Sequence, residues 1–154
     1  MQTTCVPMAE LMKLLRLQLE TAGRANLAVT GCSMLPMLRQ GRDTVILAPI
    51  GDSLKPGDIA LFCREDGRYI LHRVIAKEPD AYIFCGDNQA QRERVSPGQL
   101  EARVIGYMRK GKTYRLKGIG YGLYRWACVR LFFVRKYYIA LRRRLGRLRR
   151  RLLN

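Results

Sequence analysis

The chain has very few side chains that can act as a base near neutral pH, because its 154 residues include a single histidine, His72. It also lacks paired cysteines: the five cysteines stand alone at positions 5, 32, 63, 85 and 128, and no C-x-x-C pair occurs. An odd number of isolated cysteines argues against a disulfide framework and against a zinc site, and it is typical of a reducing compartment. We therefore assign no metal and no cofactor to this protein.

Long apolar runs are missing as well. Met8–Leu19 is apolar but contains Glu10, Lys13 and Arg16, so it does not read as a secretory signal. The best candidate for a membrane span, Tyr121–Leu141, contains four basic residues, and a central charge costs about 2.5–3.5 kcal/mol on insertion scales. With neither a signal nor a span, we expect the protein in the cytoplasm.

Acidic residues are absent from the last third of the chain. Residues 102–154 contain 17 Lys and Arg and no Asp or Glu, whereas residues 1–101 contain 12 of each kind. Such asymmetry predicts a polyanionic partner, with the inner membrane face as the first expectation and nucleic acid as the alternative. Leu141–Leu153 alternates leucine with arginine and predicts a basic amphipathic helix. The residues predicted to bind the anionic surface are Arg142, Arg143, Arg144, Arg147, Arg149, Arg150 and Arg151.

Hydrophobic periodicity predicts three regions: an N-terminal helix in residues 1–24, a β domain in 25–117 and a basic helical tail in 118–154. Leu11, Leu14, Leu15 and Leu19 fall at helical spacing within Met8–Thr21, with Gly23 as a stop, and helix is predicted again from Tyr121. Between them, short apolar runs are separated by turn signals too tight for crossover helices, which predicts a mainly β, β-rich α+β fold with an antiparallel sheet. The predicted strands are Leu27–Thr30, Thr44–Leu47, Asp58–Arg64, Tyr69–Ala76, Ala81–Cys85, Arg103–Arg109 and Thr113–Leu116.

Ser33 lies in the run Gly31-Cys32-Ser33-Met34-Leu35-Pro36. Gly31 permits a sharp turn, and Pro36 stiffens the chain three residues after the serine. A serine held on such a turn is exposed, and its own amide can donate to an oxyanion. The run therefore predicts a nucleophile, although an ordinary turn before a strand has the same composition.

His72 lies within the predicted strand Tyr69–Ala76. Alternation places it on one face with Ile70, Val74 and Ala76. Burial among apolar side chains lowers the pKa of an imidazole and keeps it a neutral base. His72 is thus the predicted general base, and a structural histidine is the alternative.

Two carboxylates are candidates for the third member of a Ser-His-acid site. Asp87 follows the strand Ala81–Cys85 in the turn Gly86-Asp87-Asn88, where it could orient His72 or fix its own loop. Glu93, six residues later, is the second candidate acid. The sequence leaves the choice between them open.

Taken together, these runs resemble the signal peptidase family, whose members are serine peptidases of the same clan as the self-cleaving repressor peptidases. The resemblance covers about residues 29–107. It rests on Ser33-Met34-x-Pro36, Arg39-x-Gly41-x-Asp43-x-Val45, Leu54-Lys55-Pro56-Gly57-Asp58-Ile59, His72-Arg73-Val74, Gly86-Asp87-Asn88 and Val104-Ile105-Gly106.

The resemblance implies an antiparallel β domain and a nucleophile at Ser33, with Met34 in the motif. Histidine at position 72 resembles the endoplasmic-reticulum and archaeal type, in which the Asp of the Gly-Asp-Asn motif and a later carboxylate are functional. Three departures stand out: Glu93 replaces the usual Asp, Gly41-Arg42-Asp43 is one residue longer than usual, and Gly31 replaces a serine that often donates to the oxyanion. Thr30 is the nearest side chain that could donate instead.

The expected function is therefore an endopeptidase that cleaves a leader or a peptide or protein precursor. Two alternatives remain: a non-enzymatic peptide-binding module on the same fold, and a nucleic-acid-binding regulator of the repressor-peptidase type. Residues 1–28 are too short for a helix-turn-helix domain, which argues against the regulator.

Overall fold

An antiparallel sheet with one helix before it and one after it forms the fold. The computed structural model describes residues 8–131 together with Val134, Tyr137 and Leu141. In this part of the chain the sheet has eight strands in the order β1-β2-β7-β3-β4-β5-β6, with β8 paired to β7. The predicted mainly β, α+β class is confirmed. The strands are β1 (Ala25–Ala28), β2 (Asp43–Ala48), β3 (Ile59–Cys63), β4 (Tyr69–Lys77), β5 (Tyr82–Cys85), β6 (Arg92–Val95), β7 (Leu100–Arg109) and β8 (Lys112–Arg115).

The N-terminal helix α1 (Met8–Ala22) packs on the sheet through Met12, Leu15 and Leu19. The predicted apolar stripe was wrong in one member, because Leu14 is 57% exposed. Met12, at i−3 from Leu15, takes its place on the buried side. The helix ends as predicted at Gly23, whose φ of +66° is readily adopted only by glycine and whose amide donates to the carbonyl of Leu19 at 3.1 Å.

Apolar side chains cover both faces of the sheet. In β4, Leu71 packs in the cluster that includes the α1 side chains, whereas Ile70 and Val74 pack in a second cluster with Phe62 and Phe84. This division follows from the two-residue repeat of a strand. His72 therefore lies on the same face as Ile70 and Val74, as predicted, and its ring contacts that of Phe62 edge-on.

The sequence did not predict β6. Three of its four residues are charged, so it lacks the apolar alternation of a half-buried strand. It pairs only with β5 at the edge of the sheet, where charged side chains are common. This strand carries Glu93 opposite Phe84.

The second helix, α2 (Ile119–Arg130), begins two residues before the predicted start at Tyr121 and contacts β4. Apart from Leu141, the predicted basic helix Leu141–Leu153 lies outside the described residues. In the part of the chain that the structure describes, neither helix has the length and apolar character needed to cross a bilayer. The arginines predicted to bind an anionic surface also lie outside it: Arg142, Arg143, Arg144, Arg147, Arg149, Arg150 and Arg151.

Candidate active site

Ser33 and His72 line a single cleft of about 530 Å³. The cleft lies between the start of α1, the strand β1 with the loop after it, and β4. Most of its lining is apolar, and Arg64 and Gln89 add polar groups. The other lining residues are Met8, Leu11, Met12, Asn26, Leu27, Ala28, Val29, Thr30, Gly31, Cys32, Met34, Val45, Leu61, Tyr69, Ile70 and Leu71.

The loop after β1 holds Ser33 half-buried. Gly31 has a φ of +75°, and its amide donates to Oε1 of Gln40 at 2.8 Å. Beyond the serine, Met34 is buried, and its carbonyl accepts from the amide of Leu38 at 2.9 Å. The predicted sharp turn is therefore present, and it is closed on both sides of Ser33 by hydrogen bonds.

The turn Gly86-Asp87-Asn88 holds this loop from the opposite side. The amide of Asn88 donates to the carbonyl of Ser33 at 2.7 Å, and its side-chain Nδ2 donates to the carbonyl of Cys32 at 3.2 Å. A Cβ on Gly86 would lie 2.8 Å from the Ser33 carbonyl and 3.0 Å from Nε2 of His72. Only glycine lets the turn fit between the two residues, so the motif sets how closely the serine loop approaches the imidazole.

His72 is 2% exposed, and Oε1 of Glu93 lies 3.0 Å from its Nδ1. The distance is that of an ion pair, but the carboxylate lies off the N–H direction, and Nδ1 has no well-aligned hydrogen bond among the described residues. Burial lowers the pKa of His72 below its usual value, and the negative charge of Glu93 opposes that shift without cancelling it. His72 is therefore a neutral imidazole near pH 7, as its strand position predicts.

Arg64 holds the other side of the Glu93 carboxylate, with Nε 2.6 Å from Oε2. Burial alone would raise the pKa of Glu93, but the hydrogen bond from Arg64, the charge of His72 when protonated and the charge of Arg64 outweigh it and lower that pKa. The carboxylate thus remains ionised between a guanidinium and an imidazole. Sequence reasoning missed Arg64, which had no signal beyond its position at the end of a strand.

Asp87 forms a fully buried ion pair with Arg73. Nε and Nη2 of Arg73 donate to the two Asp87 oxygens at 2.8 and 2.7 Å, and Tyr124 donates to Oδ2 at 2.9 Å. Burial disfavours the guanidinium, but the hydrogen bonds and charge of Asp87 outweigh it and raise the pKa of Arg73. Of the two acids that the sequence left open, Glu93 lies against Nδ1 of His72, and Asp87 lies against the guanidinium of Arg73.

The predicted oxyanion groups differ in their availability. The amide of Gly31 is occupied by Gln40, whereas the amides of Ser33 and Met34 have no hydrogen-bond acceptor within the described part of the chain. Thr30 is exposed and lines the same cleft. The backbone amides of Ser33 and Met34 therefore have no acceptor within the described residues, and both residues line the same cleft as Thr30.

The Gly41-Arg42-Asp43 segment anchors the far end of the serine loop. Asp43 is 3% exposed and binds the guanidinium groups of Arg42 and Arg109, both of which also donate to the carbonyl of Met37 at 3.1 and 2.8 Å. Arg42 and Arg109 thus both donate to the loop that carries the serine.

No family model and no curated protein matches this chain. Among the described residues, no group of three His, Cys, Asp or Glu side chains could hold a metal ion. The cleft brings together a serine on a braced turn and a buried neutral imidazole, and an ionised carboxylate lies against that imidazole.

Proposed function

We propose that this chain is a serine endopeptidase of the signal-peptidase-like type, with Ser33 as nucleophile, His72 as general base and Glu93 as the acid that orients the base. One observation carries the proposal. The imidazole of His72 has Glu93 against Nδ1 and the Ser33 loop, braced by Gly86 and Asn88, on its Nε2 side. Nucleophile, base and orienting acid are arranged in this order in serine hydrolases.

In the proposed reaction, Ser33 Oγ attacks the carbonyl carbon of a peptide bond while Nε2 of His72 takes the hydroxyl proton. The tetrahedral oxyanion accepts hydrogen bonds from the free amides of Ser33 and Met34. His72 then returns the proton to the departing amine, and an ester to Ser33 remains. Water attacks this ester with His72 again as base, which releases the carboxylate product and restores the serine.

Glu93 stabilises the imidazolium that forms in each half of this reaction. Its carboxylate is already ionised and clamped by Arg64, so no proton has to leave it when His72 becomes charged. The poorly aligned contact between Glu93 and Nδ1 of His72 can become a well-aligned hydrogen bond when the histidine is protonated. Catalytic hydrogen bonds are often long or poorly aligned before substrate binds.

The shape of the cleft supports an extended peptide as substrate. β1 is an edge strand of the sheet and lines the cleft from Asn26 to its end, so its free backbone groups can pair with a peptide strand. Apolar walls from α1 and β4 favour uncharged side chains next to the scissile bond. We propose a leader or a peptide or protein precursor as the substrate class.

The proposed location is the cytoplasm, peripheral on the inner membrane face. This location is proposed because residues 102–154 contain 17 basic residues and no acidic residue, and anionic lipid surfaces attract such segments. Cell fractionation with a high-salt wash tests it: the protein should sediment with inner membranes at low salt and be released at high salt.

Fluorophosphonate labelling tests the peptidase proposal. Wild-type protein should be labelled at one site, and Ser33→Ala and His72→Ala should lose the label while their circular dichroism is unchanged. Ser53→Ala is the matched control, because Ser53 is also half-buried but lies outside the cleft lining. An unlabelled wild type that still binds peptides would favour the binding module instead. An unlabelled wild type that binds only nucleic acid would favour the regulator.

A further inference from the structure

The helix α2 has two different faces, one facing the domain and one facing solvent. On the outer face, Ile119, Leu123 and Trp126 follow at i, i+4 and i+7, and they are 94%, 65% and 53% exposed. A continuous exposed stripe of large apolar side chains marks an interaction surface, whereas single exposed apolar residues are normal on a protein surface. Beyond the helix, Val134, Tyr137 and Leu141 are also exposed.

Contacts on the inner face prevent this stripe from turning inward. Tyr124 donates to Asp87, Tyr121 accepts from Nη1 of Arg73 at 3.2 Å, and Nη2 of Arg125 donates to the carbonyl of Pro56 at 2.7 Å. Arg73 also lies over both tyrosine rings. These bonds fix the rotation of α2 about its axis, so the apolar stripe stays on the solvent side.

The chain segment that carries the stripe is basic, and the acids that α2 meets, Asp58 and Asp87, are paired with Arg125 and Arg73 on its inner face. Arg115 and Lys117 are exposed just before α2 and Arg130 at its end, and no acidic residue occurs anywhere in 102–154. Arg115 and Lys117 also line a groove of about 480 Å³ between the β7–β8 hairpin and α2. An apolar stripe flanked by cations is complementary to the surface of an anionic bilayer, where acyl chains lie beneath phosphate groups.

We propose that the outer face of α2, formed by Ile119, Leu123 and Trp126, lies in the headgroup region of an anionic lipid bilayer. The inference rests on the peripheral location proposed above, but not on peptidase activity. It adds that the folded domain itself, through α2, contacts the lipid, rather than only the arginine-rich residues 142–151. In the described part of the chain no helix can span a bilayer, so α2 lies along the surface.

Trp126 is the only tryptophan in the chain and therefore reports directly on this contact. The full chain carrying Ser33→Ala is titrated with phosphatidylcholine vesicles that contain or lack about a third of phosphatidylglycerol. Trp126 emission should shift to shorter wavelength with anionic vesicles alone and be quenched by brominated lipid. Raising the salt from about 0.1 M to about 1 M shortens the Debye length from about 10 Å to about 3 Å and should weaken binding.

A matched pair of variants separates lipid contact from charge. Ile119→Glu/Leu123→Glu keeps Trp126 and should weaken vesicle binding by roughly tenfold or more, because it removes apolar area and adds two charges at the surface. Leu14→Glu/Leu17→Glu changes two exposed leucines of α1 by the same charge and should weaken binding far less. Both variants should retain the wild-type melting transition.

Four results would overturn the inference. Equal losses in the two variants would show that net charge alone decides binding. Vesicle binding without any change in Trp126 emission would support the peripheral location but show that α2 does not contact the lipid. Absence of vesicle binding at low salt, with tight binding of duplex DNA or RNA, would exclude both the peripheral membrane location and the lipid contact of α2. A blue-shifted Trp126 in a lipid-free dimer would assign the stripe to a second copy of the chain.

Discussion

Oε1 of Glu93 lies 3.0 Å from Nδ1 of His72, whereas the Asp87 carboxylate is bound to Arg73 on both of its oxygens. Two acids six residues apart in the chain therefore have different structural positions: one is next to the only histidine, and the other closes a buried ion pair. This division leads to opposite expectations for their removal.

Glu93→Gln should lower the turnover of a peptide substrate by roughly 10²- to 10⁴-fold and leave the fold intact, because it removes the charge that stabilises the imidazolium. Glu101→Gln is the matched control, since Glu101 has a similar exposure and forms an ion pair with Arg16 at the same 2.6 Å distance that separates Glu93 from Arg64. Turnover is measured on a soluble peptide and folding by thermal melting. Wild-type turnover by Glu93→Gln would exclude Glu93 from the mechanism.

Asp87→Asn should instead lower the free energy of unfolding, by about 3–5 kcal/mol, because it leaves the buried guanidinium of Arg73 without a counter-charge. Denaturant melts give this value directly. A variant with wild-type stability and strongly reduced turnover would show that Asp87, not Glu93, acts on the histidine.

The pH dependence of turnover and of stability should follow His72. Burial lowers its pKa, so turnover should rise with pH and reach half its maximum below about 6.5. The same shift means that the unfolded chain binds a proton more readily, so the free energy of unfolding should fall as the pH decreases from about 6.5 toward the pKa of the folded state.

A single histidine gives one set of imidazole NMR signals, which measures this pKa without interference. In His72→Gln the loss of stability as the pH falls below about 6.5 should become smaller. A measured pKa above 6.5 would contradict the assignment, and turnover retained by His72→Gln at neutral pH would point to a different base.

Arg64→Gln should raise the pKa of His72 and lower turnover, because Arg64 both opposes the charge on the imidazole and holds Glu93 in place. Arg16→Gln breaks the comparable pair with Glu101 and should leave the imidazole titration unchanged. The histidine NMR titration separates this effect from a general loss of stability, which would not move the pKa. An unmoved pKa in Arg64→Gln would exclude Arg64 as a positioning residue.

Gly86→Ala should reduce turnover by about 10²-fold, because a methyl group there would collide with the Ser33 carbonyl and approach Nε2 of His72. A Cβ at Gly98 would meet nothing within 4 Å, so Gly98→Ala is the matched control with no expected effect. Comparing kcat of the two variants tests whether the spacing between the Ser33 loop and His72 matters. Circular dichroism checks that both variants are folded. Equal activity in both variants would mean that the serine loop adjusts freely.

Tyr124→Phe should lower the free energy of unfolding by about 1.5–3 kcal/mol, because it removes a hydrogen bond to the buried Asp87 carboxylate. Tyr114→Phe, at a 40% exposed ring, should have little effect. The same tyrosine joins α2 to the turn that holds Ser33, so a fall in turnover should accompany the loss of stability. Unchanged stability would show that the hydrogen bond from Tyr124 to Asp87 does not stabilise the packing of α2 on the domain.

Local patterns in the sequence are sufficient to predict most of the sheet and the position of His72. The β4 residues alternate between two apolar clusters because a strand repeats every two residues, and the turn at Gly31 follows from the freedom of glycine to adopt positive φ. The sequence also predicts the N-terminal helix, with Met12 in place of Leu14 on its buried side. These features depend on neighbours in the chain, so they are visible without the fold.

Only the tertiary structure decides which acid meets the histidine. Glu93 lies on β6, a charged edge strand that no local pattern predicts, and β6 reaches His72 by way of its pairing with β5 and that of β5 with β4. Asp87 is close to Arg73 for the same reason, because β4 and β5 pair with Arg73 opposite Cys85. Strand register brings Asp87 to Arg73 across 14 residues of sequence, and Glu93 to His72 across 21. Register is a long-range property that composition and spacing do not predict.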